Sequence, residues 1–238
     1  MIQNVDIVHG LCWGDEGKGK VTAKLVSSNK NPYEAVCRWA GGDNAGHTIY
    51  VNGTKYKTHL VPAGVFYNKL SIIGPGCVVN KASLYAELAY LNDAGFDISN
   101  VKVSPKAHIV AEDHIEIDKA NLAESLGTTS RGIAPCYAEK AARTGTLAGD
   151  ALPAKILWDG ILPEGNILCE GAQGFWLDMD QGNYPFVTSS TTLPYAACSL
   201  GFSPKRINHI FGVAKIYDTR SGTDPLFPNS LLDDPMLS

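Results

Sequence analysis

A loop rich in glycine and lysine near the N-terminus constrains the fold more than any other feature. Residues 5–8 form an apolar run that predicts a buried strand, residues 10–19 form the loop, and a helix is expected to begin near Val21. Glycines let backbone N–H groups approach phosphate oxygens, and lysines at a helix N-terminus add positive charge. The order of strand, glycine loop and helix therefore predicts an α/β fold that binds phosphate.

The loop satisfies most of the P-loop pattern. Gly14, Gly19 and Lys20 have the required spacing, but Val21 stands where that motif has Ser or Thr. An ordinary glycine turn is the alternative interpretation. Asp15 argues against it, because a carboxylate repels phosphate unless it binds Mg²⁺, hydrogen-bonds a substrate or removes a proton.

A second glycine loop, residues 41–47, follows the apolar stretch 35–39. We expect both loops at the carboxyl edge of a central, mainly parallel sheet flanked by helices. Residues 48–60 alternate around Asn52-Gly53, which predicts a small β-hairpin insertion with a type I′ turn. The chain is expected to form a single nucleotide-binding α/β domain over residues 1–238.

Three further segments carry weaker signals. Leu84, Leu88 and Leu91 recur at helical spacing and predict a helix that Gly95 closes. The acidic stretch 111–126 predicts a solvated helical face, with a metal site as the weaker alternative. The last segment, 224–238, contains three prolines and is expected to wrap the surface or fray.

Charge and cysteine usage exclude several classes of protein. With 20 basic and 24 acidic residues, a net charge of -4 argues against broad electrostatic binding to nucleic acid or to an anionic membrane. No apolar run is long enough to span a bilayer, and the N-terminus lacks the layout of a signal peptide, so we predict a cytoplasmic protein. The six cysteines form no C-x-x-C pair, which favours reduced thiols over a disulfide framework or a zinc site.

Residues 13–20, WGDEGKGK, and residues 41–48, GGDNAGHT, together resemble the paired signature of the adenylosuccinate synthetase family. Four more motifs match in order: GTTSRGI at 127–133, Ala142-Arg143, EGAQG at 170–174 and YPFVTSS at 184–190. The resemblance covers the chain from residue 5 to about residue 219. It implies a GTP-dependent carbon–nitrogen ligase of purine biosynthesis that joins L-aspartate to IMP through 6-phosphoryl-IMP.

The same resemblance implies the catalytic roles. Asp15 would remove the N1 proton of IMP, so that O6 can attack the γ-phosphate of GTP. His47 would act as an acid toward the transferred phosphoryl group, the alternative being a loop histidine with a capping role. Mg²⁺ would be held by the Asp15 carboxylate and the Gly46 carbonyl, which are hard oxygen ligands.

Two nucleotide sites are implied as well. The GTP site would comprise Gly14, Asp15, Glu16, Gly17, Lys18, Gly19, Lys20, Gly46, His47 and Thr48. The IMP site would comprise Asp15, Glu16, Gly17, Lys18, Asn44, Ala45, Gly46, His47, Thr129, Arg143, Gln173 and Thr188. In a homodimer Arg143 would cross to the nucleotide phosphate of the other copy; a surface arginine is the alternative.

The sequence also departs from the family pattern. The family continues past residues 219–222 into an arginine-rich loop that binds aspartate and a Lys-x-Asp stretch that selects guanine, and this sequence contains neither. We therefore expect a C-terminally truncated domain that exposes apolar surface or a sheet edge. Cys12 stands where the family usually has glutamine, and Asp43 is an unusual choice in the second loop.

The short segments between motifs make the chain similar to the short archaeal or viral branch of the family. Together with the departures above, they leave alternatives open. One is a viral-type variant that converts dGMP to 2-amino-2′-deoxy-N6-succinyladenylate, although Asp15 favours IMP because some viral relatives have serine there. Another is a nucleotide-binding remnant without catalysis. ATP in place of GTP remains open, and a nucleic-acid-binding module is disfavoured by the balanced charge.

Overall fold

The computed structural model describes residues 2–28, 32–222, 224, 225 and 227. The strands are β1 (Ile2–Gly10), β2 (Tyr33–Arg38), β3 (His47–Val51), β4 (Thr54–Thr58), β5 (Leu70–Ile73), β6 (Val78–Asn80), β7 (Val101–Val103), β8 (His108–Val110), β9 (Gly165–Glu170) and β10 (Ile207–Val213). The helices are α1 (Lys18–Val26), α2 (Lys81–Asp93), α3 (Glu112–Ile117), α4 (Ala123–Leu126), α5 (Ile133–Ala142) and α6 (Ala148–Ala151).

Six strands form the central sheet in the order β10-β1-β9-β2-β5-β7. Every neighbouring pair in it is parallel, which confirms the predicted fold class. The register aligns the carboxyl ends: Gly10 lies opposite Val213, and Glu170 lies opposite both Val8 and Arg38. The loops that follow these strands therefore leave the sheet along one edge, where ligands of open α/β sheets bind.

Strand β1 is apolar because both faces of the sheet are covered. Val5, Ile7 and Val8 have no exposed surface, as expected of a strand inside a parallel sheet. Asp6 is the polar exception, and it is satisfied by the Tyr33 hydroxyl at 2.6 Å and by the backbone N–H of His209 at 3.0 Å. These bonds let a charged group remain in a buried strand.

Helix α1 begins at Lys18, three positions before the predicted start at Val21. Gly17 precedes it with φ of 94°, a left-handed conformation that a residue with a Cβ rarely adopts. The backbone N–H of Val21 donates to the Gly17 carbonyl at 3.1 Å, so the glycine closes the first turn. The early start brings Lys18 and Gly19 into the helix N-terminus that faces the sheet edge.

The predicted β-hairpin is confirmed. Strands β3 and β4 pair antiparallel, and the two residues between them, Asn52 and Gly53, have φ of 49° and 80°. Two positive φ values are what a type I′ turn requires. The hairpin adds Ile49 to the main core and returns the chain to the sheet edge at Thr58.

The helix predicted around Leu84, Leu88 and Leu91 is confirmed as α2. Leu84 and Leu91 are fully buried in the core, and Leu88 is 6% exposed. The Asn80 side chain caps the helix by accepting from the backbone N–H of Ser83 at 3.0 Å. Gly95 follows the helix with φ of 87°.

The prediction of a solvated helical face at 111–126 is wrong at Asp118, which is 2% exposed. Its two carboxylate oxygens accept from the Thr128 hydroxyl at 2.6 Å and from the backbone N–H of Gly132 at 2.8 Å. Through these two hydrogen bonds the buried carboxylate orders the loop that follows α4. Of the proline-containing segment 224–238, all but residues 224, 225 and 227 lie outside the described part of the chain.

None of the helices in the described ranges combines the length and the apolar character needed to cross a membrane.

We expect Leu84→Ala to lower the free energy of unfolding by about 2–5 kcal/mol, because it leaves a cavity at a fully buried position. The neighbouring Tyr85 is 41% exposed, so Tyr85→Ala should change it by less than about 1 kcal/mol. Urea unfolding of both variants measures the difference. Equal losses would contradict the packing of α2 described above.

Candidate active site

The two glycine loops line one cleft of about 570 Å³ at the carboxyl edge of the sheet. The loop after β1 forms one wall, and the loop after β2 with the start of β3 forms the other. Most of the expected site residues line this cleft: Gly14, Asp15, Gly17, Lys18, Gly19, Asn44, Ala45, Gly46, His47, Thr48, Thr129 and Gln173. The arrangement brings the expected base and the expected acid to the same cavity.

A close approach between Gly19 and His47 joins the two loops. A Cβ on Gly19 would lie 2.7 Å from the His47 Cβ, so no larger residue fits at this position. Gly19 belongs to the first turn of α1, and His47 is the first residue of β3. The glycine therefore permits contact between the helix N-terminus, which favours anions, and the histidine.

His47 is oriented from behind by Glu170. The Nδ1 atom of His47 contacts Glu170 Oε1, and Glu170 Oε2 accepts from the backbone N–H of Ala63 at 2.9 Å. Glu170 has no exposed surface and His47 is 5% exposed. With Nδ1 held by the carboxylate, Nε2 is the ring nitrogen available to a molecule in the cleft.

Burial decides the protonation of this pair. Removal from water lowers the pKa of His47, and the charge of Glu170 only partly opposes this effect. Burial acts to raise the pKa of Glu170, but the attraction of His47 and of Arg38 outweighs it, so that pKa is lowered. The carboxylate therefore stays ionised beside a ring whose own proton affinity is reduced.

Glu16 shapes the first glycine loop from inside. One of its carboxylate oxygens accepts from the backbone N–H groups of Cys12 at 3.1 Å and Gly14 at 2.9 Å, and the other accepts from Lys18 Nζ at 2.5 Å. Burial lowers the pKa of Lys18, while Glu16 acts in the opposite direction. The ion pair between Glu16 and Lys18 thus stabilises the conformation of the loop. Lys18 also lies in the wall of the cleft.

Asp15 is the exposed acid of the site. Its φ of 56° lies in the left-handed region, and its side chain is 81% exposed. Lys215 Nζ lies 3.6 Å from the Asp15 Oδ2 atom. Lys215 follows β10, and the parallel pairing of β10 with β1 brings it to this edge. Sequence reasoning missed this contact because it depends on strand order.

A second pocket of about 150 Å³ adjoins the cleft and shares Asn44, Thr129 and Gln173 with it. Thr188 also lines this pocket. The Gln173 amide donates to Asn44 Oδ1 at 3.3 Å, whereas its buried Oε1 atom has no hydrogen-bond partner within the described ranges. A buried amide oxygen without a donor is costly, so this pocket is suited to a ligand with N–H or O–H groups.

Three of the expected site residues lie outside the lining of both cavities. Glu16 points inward as described, and Lys20 is exposed on α1. Arg143 is exposed at the C-terminal cap of α5, where its φ is 65°. The fold of one copy does not bring Arg143 to the cleft.

Several cleft residues were not predicted as site residues: Trp13, Asp43, Lys57, His59, Arg131, Leu177 and Ser221. Lys57 and His59 come from the end of the hairpin, for which the sequence predicted a fold but no site residue. One feature of the sequence could have indicated these two residues. Lys57 and His59 are two positions apart, so they share a face of β4 and of its extension, directly beside the second glycine loop.

We expect Glu170→Gln to lower the free energy of unfolding by about 2–3 kcal/mol, because the buried His47 loses a charged hydrogen-bond partner. Glu34 is exposed on β2, so Glu34→Gln provides a matched control with a change below about 0.5 kcal/mol. Urea titration at neutral pH measures both. A Glu170 variant as stable as the control would contradict the buried pair.

The buried His9 leads us to expect a lower free energy of unfolding in acid. It is 4% exposed on β1, and its pKa is lowered from 6.5 by burial and then by Lys18. Below pH 6.5 the unfolded chain therefore takes up a proton that the folded chain excludes, so the free energy of unfolding falls as the pH falls. The lowered pKa of His47 acts in the same direction.

Replacing His9 with Asn should flatten the slope of unfolding free energy against pH below pH 6.5. Urea titrations at a series of pH values from neutral downwards measure the slope. An unchanged slope in this variant would show that His9 binds protons equally in both states.

Comparison with known proteins identifies relatives that all belong to one family. The model of the adenylosuccinate synthetase family matches residues 7–161 and 153–235. The adenylosuccinate synthetase of Listeria monocytogenes serotype 4a is 39% identical over an alignment 284 positions long, which covers 95% of this chain and 65% of that protein. The enzyme of the same name from a Geobacillus species is 38% identical, and the alignment covers 96% of this chain and 65% of that protein.

Solved structures agree with this result. A fully ligated adenylosuccinate synthetase from Plasmodium falciparum superposes with a TM-score of 0.82 at 34% identity, covering 93% of this chain and 64% of that one. The cyanophage S-2L succinoaminodeoxyadenylate synthetase, bound to dGMP and dATP, has the same fold, with a TM-score of 0.75 at 23% identity. It covers 90% of this chain and 64% of the phage protein.

The chain thus spans about 65% of the length of the curated relatives that it matches. The family model, in contrast, extends over most of this chain, from residue 7 in β1 to residue 235. On the strength of that match and of the shared fold, the chain belongs to the adenylosuccinate synthetase family.

Proposed function

We propose that this protein takes part in a GTP-dependent ligation that joins L-aspartate to IMP through 6-phosphoryl-IMP. One observation carries the proposal: Asp15 and His47, from two separate phosphate loops, line the same cleft, and Glu170 fixes the histidine. A generic P-loop hydrolase needs no acid and base of this kind on opposite walls. The names of the relatives support the same reaction.

Asp15 is suited to accept the N1 proton of the purine, because its carboxylate is exposed at the cleft. Loss of that proton makes O6 a stronger nucleophile toward the γ-phosphate of GTP. His47 is placed to donate to the transferred phosphoryl group through Nε2. Burial and the charges of Arg38 and Lys18 favour the neutral ring of His47. Anionic phosphate at Nε2 and Glu170 at Nδ1 would favour the imidazolium that donates.

The phosphate-binding part of the site follows from the loop after β1 and the start of β3. Backbone N–H groups of the glycine loop and the cationic Lys18 are suited to hold the GTP phosphates, with Gly46 to Thr48 on the facing wall. Lys20 stays in the proposed GTP site on the strength of the motif alone, because it is exposed on α1 and outside the cleft lining. Asp15 and Gly46 both border the cleft, and an exposed carboxylate with a backbone carbonyl fits Mg²⁺. Mg²⁺ would neutralise phosphate charge there.

The pocket beside the cleft is suited to part of IMP, since Asn44, Thr129, Gln173 and Thr188 supply uncharged polar groups around it. At about 150 Å³ it is too small for a whole nucleotide, so the rest of IMP would extend into the adjoining cleft. The exposed Arg143 fits a role across a homodimer interface, where its guanidinium would meet the nucleotide phosphate of the other copy. We also propose that residues 1–238 act as one nucleotide-binding domain.

The reaction predicts a large effect of Asp15. We expect Asp15→Asn to lower the rate of adenylosuccinate formation about 10²- to 10⁴-fold, because the change removes a base. IMP should still bind, because asparagine keeps the shape of the aspartate side chain. His47→Asn should have an effect of similar size. Asp93→Asn, at an exposed position on α2, should leave the rate unchanged.

Calorimetric titration with IMP and a spectroscopic assay with GTP, Mg²⁺ and L-aspartate test these expectations, with dGMP and ATP as alternative substrates. Faster turnover of dGMP than of IMP would replace the proposal with the viral-type reaction. Binding of IMP without turnover would leave a nucleotide-binding protein without this activity. Failure of a folded sample to bind any purine nucleotide would overturn the proposal altogether.

A further inference from the structure

The loop that carries Thr129 has an uncommon backbone conformation. Within residues 127–132, Gly127, Ser130 and Gly132 all have positive φ values, of 61°, 54° and 73°. This conformation is costly for Ser130, because the left-handed region disfavours residues with a Cβ. It persists only where the surrounding structure holds it, so the loop needs support from outside its own residues.

Asp118 supplies that support from the end of α3. It begins a π-helical turn, Asp118–Leu122, that joins α3 to α4, and its side chain is buried. Its two carboxylate oxygens bind the two halves of the loop: one accepts from the Thr128 hydroxyl at 2.6 Å, the other from the backbone N–H of Gly132 at 2.8 Å. Turns of this kind are frequent at functional sites. One carboxylate thus fixes residues on both sides of Thr129.

The charge of Asp118 is stabilised in this position. Gly132 is the N-cap residue of α5, so the carboxylate lies at the positive end of a helix of 10 residues. With a donor for each oxygen, the buried carboxylate is satisfied without a ligand. Asp118 borders the pocket beside the cleft, but its oxygens are occupied, so it acts on a bound molecule through the loop.

Thr129 is the loop residue that depends on this support. It lines both the cleft and the pocket beside it, and it is exposed, so packing contributes little to its position. The Thr128 hydroxyl also accepts from the backbone N–H of Ser130 at 3.4 Å, which bridges the chain across Thr129. The backbone position of Thr129 therefore depends on the hydrogen bonds of Asp118.

We propose that Asp118 is a positioning residue of the nucleotide site, which holds residues 127–132 so that Thr129 faces a bound purine nucleotide. The inference rests on the proposed function, since IMP is the nucleotide expected at Thr129. Because the loop is ordered before the nucleotide arrives, binding does not bear the entropic cost of ordering it. Without Asp118 that cost would lower the affinity.

Calorimetric titration with IMP tests this role. We expect Asp118→Asn to weaken IMP binding about ten- to hundredfold, because the amide cannot accept from both donors and the bonds to a charged group are lost. Thr128→Val removes a partner of Asp118 and should act in the same direction. The double variant should lose less affinity than the two single losses combined, since both changes break one contact. Thr128 is only part-buried, so its variant keeps the test available if Asp118→Asn does not fold.

Two variants serve as controls. Thr128→Ser keeps the hydroxyl, and Glu116→Gln changes an exposed carboxylate of α3, so both should bind IMP as the parent chain does. Titration with GDP and Mg²⁺ reports on the first glycine loop, and that affinity should stay unchanged in every variant. Equal weakening of IMP and GDP in Asp118→Asn and Thr128→Val would indicate a general loss of structure and overturn the inference.

Hydrogen exchange of the backbone N–H groups of residues 127–132, measured without nucleotide, separates positioning from direct contact. Faster exchange in Asp118→Asn together with weaker IMP binding supports the inference. Weaker binding with unchanged exchange would show that Asp118 contacts IMP itself, and unchanged binding would show that the loop needs no such support. Either result overturns the inference.

The same titrations separate this inference from the proposed function. If the parent chain binds IMP without forming adenylosuccinate, the proposed reaction fails, while selective losses of IMP affinity in the Asp118 and Thr128 variants still support the inference. Turnover by the parent chain with unchanged IMP affinity in both variants overturns the inference alone. A parent chain that binds no purine nucleotide overturns both.

Discussion

The contact between Glu170 and His47 is the interaction on which the rest of the site depends. Glu170 ends β9, which lies between β1 and β2, the two strands that lead into the glycine loops. Its register opposite Val8 and Arg38 places the carboxylate at the point where both loops leave the sheet. A parallel sheet with β9 elsewhere would leave the histidine without an acceptor, and the two walls of the cleft would have no common support.

Buried charge links this support to the hairpin. Arg38, at the end of β2, is 2% exposed and donates from Nη1 to the carbonyls of His59 and Leu60. Its positive charge helps to keep Glu170 ionised. The same guanidinium therefore fixes the strand end that carries His59 and stabilises the carboxylate behind His47. The hairpin is part of the site for this reason, although nothing in its own sequence requires a ligand.

Local signals predicted the parts of the fold that local physics determines. The Asn52-Gly53 turn, the leucine face of α2 and the two glycine loops depend on residues close together in the chain, and all were predicted from the sequence. Strand order is not local, so the contacts of Lys215 with Asp15 and of Glu170 with His47 needed the structure. The prediction that Asp118 is exposed was wrong for a similar reason. Its hydrogen-bond partners lie in a later loop, which an acidic pattern does not reveal.

Backbone binding of an anion and side-chain contacts across a cavity leave different traces in a sequence. Phosphate is bound largely by backbone N–H groups, which require glycines at fixed spacing and therefore produce a motif. Side chains that line a cavity can come from any elements that the fold brings together, and they need no spacing along the chain. Asp43, Lys57 and Arg131 belong to three such elements, and they meet in a cavity that also borders α2. The two glycine loops are thus visible in the sequence of this chain, whereas that cavity is visible only once the fold has placed the hairpin against α2.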